Sequence, residues 1–152
     1  MRKNLAFAGA LATCVLAAAL VMGTRKAPVV HAQTTACDAT SLTGAYGYSL
    51  AGSVYDNQGY WYVLGAAGRL VSDGSGSFTG ADTFSFDGSI VKRQYTGTYT
   101  MNADCTGSMT LTPSSGAASH FDFVTVNNNK EVNVVQTDTD WILTGVLKPQ
   151  NQ

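Results

Sequence analysis

Residues 95–101 read Tyr-Thr-Gly-Thr-Tyr-Thr-Met, with Tyr95, Gly97, Tyr99 and Met101 at every second position and threonines between them. A period of two puts apolar groups on one face of an extended chain and hydroxyls on the other, which is the pattern of a half-buried β-strand. Asn102-Ala103-Asp104 follows, and Asn and Asp accept the dihedrals of a tight reversal. The chain then returns over 106–112 as a second strand. The same alternation starts the first of these strands at residue 90 and predicts further strands over 45–55, 60–71, 77–86, 120–126, 131–137 and 141–148. Between them stand turn signals, among them Asp56-Asn57-Gln58-Gly59, Asp73-Gly74-Ser75-Gly76, Asp87-Gly88 and Asn127-Asn128-Asn129-Lys130. Beyond residue 32 no segment shows the 3.6-residue period of an amphipathic helix. Eight strands, each followed by a turn, predict an all-β antiparallel meander that closes into an eight-stranded up-and-down β-barrel. A two-sheet β-sandwich is the alternative. Gly65 and Gly68 inside the second strand predict a bulge or bend there.

The N-terminus has a different character. Arg2 and Lys3 precede a charge-free apolar run over 5–22, and Val30-His31-Ala32 offers the residues a signal peptidase reads. Residues 1–32 are therefore expected to be a signal peptide cut after Ala32, with an uncleaved membrane anchor as the rival. A polar lead over 33–44 and a barrel domain over 45–149 would follow. The mature chain would be secreted or periplasmic and free of the membrane. It would carry Arg69, Lys92, Arg93, Lys130 and Lys148 against ten acidic residues, a net charge of −5. So acidic a surface excludes nucleic acid, whose backbone demands a basic footprint. Cys37 and Cys105 are the cysteines left after Ala32, and in an oxidising compartment a pair reads as one disulfide. Closing so long a loop is worth about 4 kcal/mol in chain entropy.

Candidate chemistry is sparse. Asp82 shares a face with Phe78, Phe84 and Phe86, so an inward Asp82 would be a desolvated carboxylate able to act as general acid or base. His120, the one histidine beyond Ala32, is the second catalytic candidate. Tyr46, Tyr48, Phe84, Phe86, Tyr95, Tyr99, Phe121 and Phe123, with Trp141, supply an aromatic interior fit for a small apolar ligand; an ordinary β core would use the same residues. Tyr60, Trp61 and Tyr62 cannot all face one side of a strand, so at least one is expected at the surface. Asp138, Asp140 and Glu131 are oxygen ligands without a recognised calcium-loop spacing, so no metal and no cofactor are expected.

The runs TGTYTMNADCTG at 96–107, HFDFVTV at 120–126 and TDTDWILTG at 137–145 resemble a family of small exported bacterial proteins. The strand layout resembles calycin-type barrels, including lipocalins and allene oxide cyclase-like barrels. That resemblance implies a barrel with a ligand or substrate cavity. The lipocalin Gly-x-Trp signature is replaced by Gly44-Ala45-Tyr46, so no site residue carries over.

Three functions fit these observations. The first is binding of a small apolar ligand, or a structural role, without catalysis. The second is a cyclase or isomerase that works by holding a reactive substrate in shape, with Asp82, His120 or a tyrosine assisting. The third is a surface interaction module built on Tyr60–Tyr62. The exported protein, weighed intact, is expected to begin at Gln33 and to gain about two mass units on reduction. An N-terminus at Met1 would sink the signal-peptide reading.

Overall fold

A computed structural model describes residues 36–150. The expected signal peptide lies outside them. Eight strands follow one another: β1 (Gly44–Tyr55), β2 (Trp61–Ser72), β3 (Ser77–Phe86), β4 (Ser89–Met101), β5 (Thr106–Pro113), β6 (Ser119–Val126), β7 (Glu131–Gln136) and β8 (Trp141–Pro149). Each pairs antiparallel with its chain neighbours, and β8 returns to pair with β1 over Val54↔Trp141 to Tyr46↔Pro149. The sheet is thus the closed up-and-down barrel expected of eight sequential strands, and the pairing of β8 with β1 sets the sandwich alternative aside. Closure leaves no strand at a free sheet edge.

Alternate residues of every strand point inward. The core is built from Tyr46, Tyr48 and Leu50 of β1, Leu64 and Leu70 of β2, Phe78 of β3, Tyr95 and Tyr99 of β4, and their counterparts on β5 to β8. Eight strands enclose just enough space for such side chains. Here they fill it: the residual voids are about 20 and 30 Å³, room for a water molecule or two.

Inward-facing glycines make that filling possible. Gly97 lies directly opposite Phe78, and Gly107 opposite Phe123, in neighbouring strands. A methyl group at Gly97 would overlap the Phe78 ring and the Thr110 carbonyl; one at Gly107 would overlap the Phe123 ring and the Thr100 carbonyl. Each glycine is a seat for the ring across from it. Gly68 has the same use. The expected bulge at Gly65 and Gly68 is absent, since β1 and β2 stay in register from Gly44↔Ser72 to Tyr55↔Trp61. The missing side chain at Gly68 clears a path over β2 for the Tyr48 hydroxyl.

The two barrel ends differ. At the end formed by the β2–β3, β4–β5 and β6–β7 turns, residues 37–43 lie across the opening. A 3₁₀ turn over Ala39–Leu42, capped by the Asp38 side chain, presents Leu42 to the core. Its Ala39 carbonyl accepts a hydrogen bond from the Tyr99 hydroxyl at 2.8 Å. The Cys37–Cys105 disulfide pins this plug, with Cα atoms 5.0 Å apart, and the Cys37 N–H donates to the Ala103 carbonyl. Cys105 sits in the left-handed region at φ 68°, at the end of the β4–β5 turn, where glycine is usual. At the opposite end, the β1–β2, β3–β4, β5–β6 and β7–β8 connections leave the barrel open.

A methyl at Gly97 meets backbone as well as ring, so the sheet must shift to accept it. Gly97→Ala is expected to cost about 1–3 kcal/mol, read from urea unfolding. A neutral result would remove the glycine-seat account of the core.

Candidate functional site

The open end holds a cup of about 390 Å³. Its floor is Leu50, Leu111, Phe121 and Leu143, the last inward layer of the core. Phe84 of β3 and Trp141 of β8 stand on its wall, Arg93 and Gln136 line it between them, and the small-residue loop 115–118 forms one rim. Two wider recesses, of about 680 and 630 Å³, are open folds of the outer wall over β2 to β5 and β4 to β7. They lack the inward-facing floor that makes the mouth a container.

Arg93 is held in place by a polar row that crosses four strands. Tyr48, Gly68, Asp82 and Arg93 stand opposite one another on β1, β2, β3 and β4. Arg93 donates from Nε to Asp82 Oδ1 at 2.9 Å and from Nη2 to Oδ2 at 2.6 Å. The Tyr48 hydroxyl donates to Oδ2 at 2.8 Å, passing above Gly68. The Asp82 side chain is fully buried and that of Arg93 is 18 % exposed. Such a carboxylate is tolerable only with this many donors. The guanidinium also lies 4.1 Å from the centre of the Phe84 ring, a cation–π contact. Burial, the Tyr95 hydroxyl beside it and the Asp82 charge hold the Tyr48 hydroxyl far above the ordinary tyrosine range. Burial pushes Tyr95 up to about 12.

The opposite side of the mouth carries a second polar chain. The Asp138 carboxylate accepts from the His120 backbone N–H at 2.9 Å and lies 2.7 Å from His120 Nδ1. It also accepts from Gln136 Nε2 at 2.7 Å. Burial raises the Asp138 pKa, but the His120 and Gln136 hydrogen bonds outweigh it and hold the carboxyl below its usual value. Because a carboxylate only accepts, the Gln136 amide is fixed with Nε2 towards Asp138. Its Oε1 is then buried with no hydrogen-bond partner among the described residues.

These contacts sort the sequence candidates. Asp82 is inward and buried, as its face predicts, but it is committed to Arg93 and Tyr48 and is not among the residues that line the cup. His120 has a side chain 56 % exposed and faces away from the cup, which it touches through Asp138 alone. Of the nine aromatic candidates, Phe84, Phe121 and Trp141 line the cup. Tyr46, Tyr48, Tyr95, Tyr99 and Phe123 are buried in the filled core beneath it, and Phe86 stacks on Tyr62 at the rim with ring centres 5.4 Å apart. Trp61 is exposed and Tyr62 turns inward, as alternation in β2 requires, and Tyr60, which precedes the strand, is exposed as well. Glu131 pairs with Lys148 at 3.4 Å, away from Asp138. Among the described residues no group of acidic, histidine or cysteine side chains could hold a metal ion, and no helix is long and apolar enough to cross a membrane.

Arg93 and Gln136 are cup residues that the sequence reading did not single out as a site. A signal for the first existed. The two-residue turn at Asp87-Gly88 fixes the β3–β4 register and places Arg93 across from Asp82. Likewise Gln136 continues the inward face of Val132 and Val134.

Stability is expected to fall as pH rises above about 10. In the unfolded chain tyrosines ionise near that value, whereas in the barrel Tyr46, Tyr48 and Tyr95 are held neutral, with Tyr95 titrating near 12. The folded state therefore retains protons that the unfolded state loses, and each such group costs up to about 1.4 kcal/mol per pH unit until its folded pKa is reached. Tyr48→Phe should flatten this decline in alkaline urea titrations; an unchanged slope would contradict it.

No protein-family model matches the chain, and no curated protein matches it. Among solved structures, a de novo designed fluorescence-activating β-barrel is similar over 74 % of this chain and 96 % of its own, with a TM-score of 0.52 and 12 % identity. At that identity the likeness is one of fold, and it agrees with the closed barrel described above.

Proposed function

We propose that the protein is an exported barrel that binds a small, largely apolar molecule in the cup at its open end. The observation that carries this reading is the contrast between the two ends. One is sealed by a disulfide-pinned plug over a filled core, and the other opens over an apolar floor with aromatic walls. A volume of about 390 Å³ falls within the range of small-molecule sites, roughly 300–1,000 Å³. The ligand sits on the core instead of inside it, since the interior voids are far too small. The similar designed barrel is fluorescence-activating, which accords with a barrel of this fold receiving a small molecule. Export rests on the N-terminal sequence pattern, and the Cys37–Cys105 bond fits an oxidising compartment.

A catalytic reading has less support, because Asp82 is locked in its ion pair and His120 points away from the cup. A surface role has one specific observation in its favour. Tyr55, Trp61, Val63 and Ile142 are exposed together on the outer wall of β1, β2 and β8, with Tyr55 and Trp61 ring centres 4.9 Å apart.

Nile red added to the protein is expected to bind one-to-one with blue-shifted emission, and Ala118→Phe, which fills the cup from its exposed rim, should abolish the signal. Equal emission from the Ala118→Phe variant would place the dye on the outer wall and refute the cup.

A further inference from the structure

Each side of the cup carries a residue with an unused hydrogen-bonding group, and the two differ in kind. On the β4 side, the bidentate pair uses Arg93 Nε and Nη2, leaving the Nη1 donors without a partner among the described residues. On the β7 side, Gln136 is 6 % exposed and its Oε1 is a buried acceptor without a donor. Its orientation cannot reverse, because Asp138 holds Nε2 and is itself held by His120. A buried carbonyl left unpaired is costly, so a ligand that brings a donor to it gains more than an ordinary hydrogen bond would give.

The charge at the Arg93 side decides between two acceptors. A carboxylate would be attracted to a free guanidinium. Here the Asp82 carboxylate already neutralises Arg93 from a fully buried position. An incoming anion would meet a neutral pair, and beyond it the Asp138 carboxylate that lines the same cup. It would give up its hydration without an uncompensated cation to receive it. A neutral carbonyl oxygen accepts from Nη1 without that loss. Phe84, backed by the guanidinium, and Trp141 offer flat surfaces for an aromatic body.

We infer that the cup takes an uncharged aromatic carbonyl compound bearing a hydroxyl group, a hydroxyaryl ketone in the simplest case. Its carbonyl accepts from Arg93 Nη1 and its hydroxyl donates to Gln136 Oε1. The inference rests on the cup being the binding site, and deepens that reading by assigning the ligand's chemical class and two specificity-determining residues.

The test is calorimetry on the full mature chain with four probes of similar size. They are para-hydroxybenzophenone, benzophenone without the hydroxyl, para-benzylphenol without the carbonyl, and para-benzylbenzoate with a carboxylate. Para-hydroxybenzophenone is expected to bind about tenfold tighter than either neutral probe lacking one group, and tighter than the carboxylate. Removing the buried pair together with the hydroxyl that donates to it, as Asp82→Leu with Arg93→Met and Tyr48→Phe, leaves neither a charge nor a donor orphaned. This variant should lose the preference for the carbonyl while keeping the preference for the hydroxyl. Gln136→Leu should do the reverse. Equal affinity for all neutral probes, or tightest binding of para-benzylbenzoate, would overturn the assignment of class while leaving a cup that binds. If Nile red is also excluded from the cup, the binding reading itself fails and the inference falls with it.

Discussion

Closing eight strands on themselves forces opposing side chains into a space scarcely wider than two rings, and the barrel depends on how that crowding is relieved. Relief comes from pairing a ring on one strand with a glycine on the next, as at Phe78 with Gly97 and Phe123 with Gly107. Uniformly large inward residues would force the sheet open, and uniformly small ones would leave voids that each cost stability. The result is an interior packed like a solid, which is why a ligand must be sought at an end of the barrel.

The same device serves the polar row. Tyr48 and Asp82 are on strands separated by β2, too far apart to touch over an ordinary residue. Gly68 between them allows the phenol to lie across the strand and bond the carboxylate. Asp82 in turn orients Arg93 at the mouth. One absent side chain thus connects core packing to the electrostatics of the site. Without it, Asp82 would lose a donor, and Arg93 would be held by a less satisfied carboxylate.

Local signals specify the fold almost entirely. Alternation set which residues face inward, and turn residues set where each strand ends, so the eight strands and the Cys37–Cys105 pair were legible. Closure was not, because a two-sheet sandwich obeys the same alternation; what decides is the pairing of β1 with β8, which no local motif encodes. Gly65 and Gly68 were misleading for a related reason. A glycine that permits a bend and a glycine that admits a neighbour's ring look alike until the strand opposite is known. The aromatic residues were correctly placed on the inner face. Their division between core and cup depends on height along the barrel axis, which a period of two does not record. Phe84 and Phe121 reach the mouth, whereas Tyr46 and Tyr99 end beneath the plug.

The seam between β1 and β8 has a consequence for how the molecule assembles. Every other strand pair joins neighbours across a short turn, so its ordering needs little loop closure. The seam pairs Tyr46 with Pro149 and Val54 with Trp141, across nearly the whole domain. The entropy of bringing those ends together is met only when the other strands already curve far enough to present them. The seam is therefore the last ladder to form, and Trp141, at its mouth end, takes its place beside Val54 in the cup wall only when the barrel closes.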